Sequence, residues 1–262
     1  MDEHIEQVKQ LWNEVSDSEW YRSLRTEDRI RKIVEMPESV FHPGVFSLLK
    51  KYMPDVRGKN VLLPSSGDNH AVFAFVLMGA NVTSADISER QLENAAKIAR
   101  RLSLPIEFVR TDTRTLETLP DGAFDLVYTS NGTLSWIDDL SRMYGNFHRV
   151  LKGGGLVIQY DVHPFTRPFT CEAFKPPKVA KSYFDVLPSL HRKMQDILNA
   201  QVNAGLFIKE IGELPSVDAS FWYTFRELQE KSPDELRGIN DWKVNPLAAL
   251  PTWLCVVSEK AR

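Results

Sequence analysis

Cysteine is nearly missing from this chain: two thiols in 262 residues, with no spacing that suits a metal ligand set or a disulfide framework. A large excess of either charge is missing as well. Thirty-two basic residues face 35 acidic ones, a net charge of -3, so nothing in the charge suggests a dedicated nucleic-acid surface. No apolar run approaches the roughly 20 residues a membrane-spanning helix needs. The first ten residues, MDEHIEQVKQ, are too polar and acidic for a secretory leader, so a cytoplasmic protein without structural metal is expected. Cys255 lies in a strand-like run and reads as core; Cys171 reads as loop.

What remains is ordinary globular composition, 43% hydrophobic and 26% charged, enough for one large domain with a sizeable core. Residues 1–57 read as polar helices, with Leu11, Trp12 and Val15 at helical spacing and Pro43 suited to a first helical turn. From residue 58 the pattern alternates. Val61–Leu63 reads as a strand and Ala71–Met78 as a helix. Val82–Ala85 is a second strand. Ser88 through Gln91 has the capping-box pattern that opens the next helix. Strands follow at 106–109, 124–128, 156–160, 206–211 and 252–257. A helix is expected from about Ser135 to Leu151, stopping at Gly153-Gly154-Gly155, and another over 189–204. Such alternation predicts an α/β fold, a doubly wound and mostly parallel sheet. Two excursions interrupt it, at 163–186 and 216–250. Both are aromatic, and both read as caps that enclose a partly apolar substrate pocket.

The informative stretch is VLLPSSGDN at 61–69, followed by Asp86. A buried strand, a tight turn, a helix start and an acid at the end of the next strand form the arrangement that holds an adenosine-containing ligand by its ribose. Asp86 lies one helix and one strand after Ser65. Ser88 already suits the helix cap, which leaves Asp86 for a ligand. Asp112 ends the third strand. Thr129-Ser130-Asn131 follows the fourth, at the carboxyl ends where such sheets bind ligands.

Taken in order, these segments, with FDLVYTSNG and HRVLKGGGLVIQYD, resemble the class I S-adenosylmethionine-dependent methyltransferases. The resemblance is good over about 58–160 and extends to the last two strands. It implies a seven-stranded Rossmann-like sheet with its last strand antiparallel and inserted. It also implies S-adenosylmethionine as cofactor and S-adenosylhomocysteine as product. Pro64, Ser65, Ser66, Gly67 and Asn69 would form the cofactor loop. Asp86 would hold the ribose and Ile87 the adenine face. Asp112 and the Thr113 amide would take the adenine edge, with Thr129, Ser130 and Asn131 beside cofactor and substrate. The family's first loop runs acid-x-Gly-x-Gly-x-Gly. Here those positions are Leu63, Ser65, Gly67 and Asn69, so one glycine remains and the acid is absent. Asp68 or an N-terminal side chain is left to compensate.

Residues 1–57 would form a helical lid over a core of 58–262, with Trp12, Trp20 and Tyr21 as lid aromatics. His163 is the first candidate for a general base on pKa grounds, with Asp161 beside it. His42, Tyr183, His191 and Trp222 are weaker candidates, and His148 reads as structural. Arg167, Lys175, Lys178 and Lys181 would suit an anionic acceptor or simply a solvated face. The Asn/Asp-Pro-Pro-aromatic and Pro-Cys motifs of DNA methylation are absent, so the expected partner is a small-molecule methyl acceptor, with no nucleic acid and no membrane. A nicotinamide dehydrogenase would need a fuller glycine loop. A non-catalytic nucleoside-binding module that kept the fold is the alternative.

Overall fold

The computed structural model describes residues 3–170, 172–185 and 190–262; Cys171 and the expected helix start at Ser189 lie outside them. Seven strands form one sheet: β1 (Asn60–Pro64), β2 (Asn81–Asp86), β3 (Ile106–Arg110), β4 (Phe124–Thr129), β5 (Leu151–Val162), β6 (Leu206–Leu214) and β7 (Trp253–Lys260). Their order is β3-β2-β1-β4-β5-β7-β6. β1 to β5 are mutually parallel, and β7 is inserted antiparallel between β5 and β6. The helices are α1 (Glu3–Val15), α2 (Glu19–Leu24), α3 (Glu27–Glu35), α4 (Pro43–Tyr52), α5 (His70–Leu77), α6 (Glu89–Arg101), α7 (Leu140–Val150), α8 (Met194–Asn203) and α9 (Phe225–Glu230).

The period-2 alternation of the strands decides what packs where. Val61 and Leu63 of β1, with Leu126 and Tyr128 of β4, face Val45 and Leu49 of α4 and Val72 and Phe75 of α5. Leu62 and Val127 point the other way, onto Met143, Tyr144 and Phe147 of α7 and Ile197 of α8. Both faces are therefore covered, and this is why the central strands read as unbroken apolar runs. Ile30 and Ile33 of α3 pack with Phe73, Ala95 and Ile98, joining the N-terminal helices to α5 and α6.

Three expectations change. The helix expected from Ser135 starts at Leu140, where Asp139 caps it by accepting from the Arg142 amide at 2.8 Å; residues 131–139 are turns and loop. The glycine run does not separate helix from strand. β5 begins at Leu151, and Gly153–Gly155 form a bulge: Phe124 pairs with Leu151, but Leu126 pairs with Leu156. A Cβ on Gly155 would lie 2.9 Å from the Lys152 carbonyl oxygen, so the bulge needs glycine there. The two excursions do not line the main cavity. They pack on each other, with Phe169, Ala173 and Phe174 from the first meeting Trp222, Ile239 and Leu247 from the second.

Candidate functional site

The strand order turns back between β1 and β4, and at that switch point the loops at the strands' carboxyl ends diverge. A cavity of about 320 Å³ opens there. Ser65 to Asn69, Asp86 and Ile87, Asp112 and Thr113, and Ser130 and Asn131 line its floor. Trp12 of α1 and Trp20 and Tyr21 of α2 line it from above, with Trp136 on one side. Trp12 meets Tyr21 and Trp136 edge-on, with centroids 6.1 and 5.3 Å apart. Of the expected cofactor residues, Pro64 and Thr129 lie just behind this lining, the last residues of β1 and β4.

The loop after β1 keeps its shape with one glycine. Ser65 holds φ +49° and Gly67 φ +47°. Ser65 is tied to Thr113 by a hydroxyl–hydroxyl bond of 2.7 Å, and Ser66 to Ser84 by one of 2.8 Å. Asn69 caps α5 by accepting from the Ala71 amide at 2.9 Å and donates to Ser130 Oγ at 2.8 Å. Hydroxyl and amide side chains thus hold the geometry that glycines would otherwise permit. Gly67 is harder to replace in this way: at φ +47° a Cβ there would meet Gln91 Oε1 at 2.8 Å and Gln91 Cβ at 3.0 Å, so the Gln91 side chain would have to shift.

Three carboxylates line the cavity. Asp86 is 9% exposed and accepts from the Ser88 amide at 2.8 Å. Burial pushes its carboxyl up to about 6, against the pull of backbone amides of Ser88, Gly67 and Ile87. Asp112 is gripped by the Arg114 guanidinium at 2.8–3.3 Å, and Arg114 also binds Asp138. Asp68 is buried and ion-paired through Oδ2 with Nε of Arg25, which follows α2. Burial raises the Asp68 carboxyl and the guanidinium opposes that rise.

His163 is elsewhere. It does not line the cavity, and both ring nitrogens are engaged: Nδ1 accepts from the Phe165 amide at 3.1 Å, which leaves Nε2 to donate to Glu213 at 2.9 Å. Burial lowers its basicity. This is the bonding of a histidine that shapes its loop. Asp161 is a clamp: its two oxygens accept from the amides of Gly132, Val162 and Leu134 at 2.7–3.1 Å and fix the turn beside the cavity. His42 caps α4, the Tyr183 hydroxyl accepts from the Met194 amide, and Trp222 is buried in the cap core. His191 is pushed down to about 4, first by burial and then by Arg167 and Lys181.

Several lining residues escaped the sequence reading. Gln91 looked like the second half of a capping box. Ser88 does accept from its amide at 3.1 Å, but the Gln91 side chain lines the cavity. Trp136 and Ile137 were hidden inside an expected helix. His70, the first residue of α5, also lines the cavity, with Nε2 bonded to the Leu24 carbonyl at 2.8 Å. Among the described residues no cluster suits a metal ion, and no helix is long and apolar enough to cross a membrane.

A family model described as a methyltransferase domain matches residues 64–159. An uncharacterized methyltransferase of Bacillus subtilis (strain 168), YbaJ, is 29% identical over 123 residues. That match covers 47% of this chain and 48% of the relative, so the chain spans about half the length of the curated relative it matches. An S-adenosylmethionine dependent methyltransferase from Mesorhizobium loti superposes with a TM-score of 0.60 at 22% identity, over 84% of this chain and 100% of its own. Geranyl diphosphate C-methyltransferase from Streptomyces coelicolor A3(2), solved with Mg2+, geranyl diphosphate and S-adenosyl-L-homocysteine, does so with a TM-score of 0.64 at 13% identity, over 99% of each chain. At these identities the structural likeness concerns the fold.

Proposed function

We propose that this chain, which matches a methyltransferase-domain model over residues 64–159, is a class I S-adenosylmethionine-dependent methyltransferase that transfers the cofactor's methyl group to a small-molecule acceptor by direct in-line displacement. The observation that carries the reading is the convergence of Asp86, Asp112 and the 65–69 loop on one aromatic-roofed cavity at the sheet's switch point. The donor set fits the cofactor. Asp86 is placed to accept from two ribose hydroxyls, Ile87 to lie on the adenine face, and Asp112 with the Thr113 amide to take the adenine edge. Ser65, Ser66, Gly67 and Asn69 bring backbone close to the ligand, with Pro64 and Thr129 setting the loop ends. Ser130 and Asn131 adjoin the place where acceptor and donor meet.

When bound, the cofactor supplies a methyl group activated on a sulfonium. The chain's contribution is then alignment and exclusion of water. Trp12, Trp20, Tyr21 and Trp136 roof the cavity, and aromatic faces attract a cation. Burial makes the Tyr21 hydroxyl a poor acid, pushed up to about 12. It also lowers the basicity of the His70 imidazole. The cavity volume of about 320 Å³, at the low end for ligand pockets, supports a small acceptor over a macromolecule.

The test is calorimetric titration of the protein with S-adenosylmethionine and S-adenosylhomocysteine, with Asp86→Ala alongside, followed by S-adenosylhomocysteine release over a panel of acceptors. Micromolar binding is expected, weakened about tenfold or more in the variant as the ribose hydroxyls lose a charged acceptor. No binding by the folded protein overturns the reading. Binding with no turnover of any acceptor replaces it with the non-catalytic module.

A further inference from the structure

The methyltransferase reading leaves one cavity carboxylate without a role. Asp86 and Asp112 take ribose and adenine in that reading. Asp68 lines the same cavity, its side chain only 3% exposed. A buried carboxylate is costly unless it is paired, and this one is held by a cation that comes from outside the sheet domain's alternating core. Arg25 directly follows α2, its side chain is 15% exposed, and its guanidinium also donates to the Ser16 carbonyl between α1 and α2 at 2.5 Å. The end of β1, where the resembling family carries its acid, is Leu63-Pro64, and Leu63 is turned into the core. No carboxylate other than Asp68, Asp86 and Asp112 lines the cavity among the described residues.

We infer that Asp68 is the residue that receives the α-ammonium of the cofactor's amino-acid portion, in place of the acid missing at the end of β1, and that Arg25 is its positioning residue. This inference rests on the cofactor reading above. The chemistry is that of a compact cation meeting a carboxylate in a water-poor site. One oxygen of Asp68 is fixed by the guanidinium, which aims the other and opposes the rise that burial imposes on the carboxyl. The pairing also makes the lid part of the ligand seat, because the residue that orients Asp68 is anchored to the turn between α1 and α2.

S-adenosylhomocysteine and 5′-methylthioadenosine separate this inference from the general one. Both carry adenine, ribose and a thioether; only the first has the amino-acid end. The experiment measures Kd for both ligands with the unaltered protein, Asp68→Asn, Arg25→Gln and Asp86→Asn. Asp68→Asn keeps an oxygen to accept from Arg25, so the lid contact survives, and melting curves verify the fold. The expected result is a loss of S-adenosylhomocysteine affinity of about tenfold or more in Asp68→Asn, the size of one charged hydrogen bond. Methylthioadenosine affinity stays within about twofold. Arg25→Gln shows the same selectivity to a smaller degree, and Asp86→Asn weakens both ligands. Equal losses for both ligands in Asp68→Asn, or no loss for either, overturn the assignment of Asp68 while leaving the cofactor reading intact. Failure of the unaltered protein to bind either ligand overturns both.

Discussion

Burial moves the Asp86 carboxyl from an ordinary 3.8 up to about 6, and the direction has two consequences. Between about pH 4 and 6 the folded chain holds a proton there that the unfolded chain has released. Raising the pH through that window therefore costs stability at this site rather than adding it. If Asp86 holds the ribose as proposed, ligand binding runs the other way, because ribose hydroxyls donate and want the ionised acceptor. S-adenosylhomocysteine affinity is expected to rise as pH passes through about 6 and to level off above it. Titrations from pH 5 to 8 check this, with Asp86→Asn expected to be flat. A flat profile in the unaltered protein would sink the argument. Ser65 offers a second check at the same scale. Its φ of +49° costs a non-glycine residue roughly 1–2 kcal/mol, and its hydroxyl recovers part of that through Thr113. Ser65→Gly relieves the strain and loses the bond, so stability should change by less than about 1 kcal/mol. Ser65→Ala keeps the strain and loses the bond, and should cost about 1 kcal/mol. Chemical denaturation of the two variants decides between them.

The elements differ in how openly the sequence announces them. β1 and β4 carry short apolar runs, at residues 61–63 and 126–128, that are buried on both faces, and Gly79 closes α5 with φ +93°, so these are readable from hydrophobicity and turn chemistry. The parallel order with β7 inserted was legible through the family resemblance. The candidate site was legible wherever a strand end supplied the residue, as with Asp86 and Asp112. It was not legible where a residue from one element answers a residue far away. Trp136 sits in an apolar-periodic stretch that looks helical. The Asp139 cap and the Asp161 clamp on the Gly132 and Leu134 amides hold the stretch before Leu140 open instead. Gln91 fits a local capping pattern, yet its side chain serves the cavity. The triple glycine reads as a helix stop, but pairing across β4 absorbs it as a bulge. In each case tertiary contacts overrode a correct local rule. His163 misled for the opposite reason: a histidine after a strand end is a reasonable base by position, but its two bonds, to Phe165 and Glu213, were invisible without the fold.

For the molecule as a whole, the excursions at 163–186 and 216–250 change which parts depend on which. Their apolar residues form a satellite core around Trp222, Ile239 and Leu247. Asn245 stitches the two segments together from a fully buried position, accepting from the Phe174 amide at 3.0 Å and donating to the Ile239 carbonyl at 2.7 Å. The second excursion reaches α2 through Phe225 of α9, which the Trp20 ring meets edge-on at 5.7 Å. The cavity floor, by contrast, is built from the sheet's own loops and roofed by α1 and α2. Loosening the satellite should therefore leave cofactor binding nearly intact. Asn245→Ala removes two buried hydrogen bonds and is expected to destabilise the cap by about 2 kcal/mol. Hydrogen exchange should then rise across 169–180 and 219–250, with S-adenosylhomocysteine Kd within about threefold of the original value. If cofactor affinity instead falls in step with cap stability, the roof over the cavity is not supported by α1 and α2 alone, and the Trp20–Phe225 contact holds α2 in place.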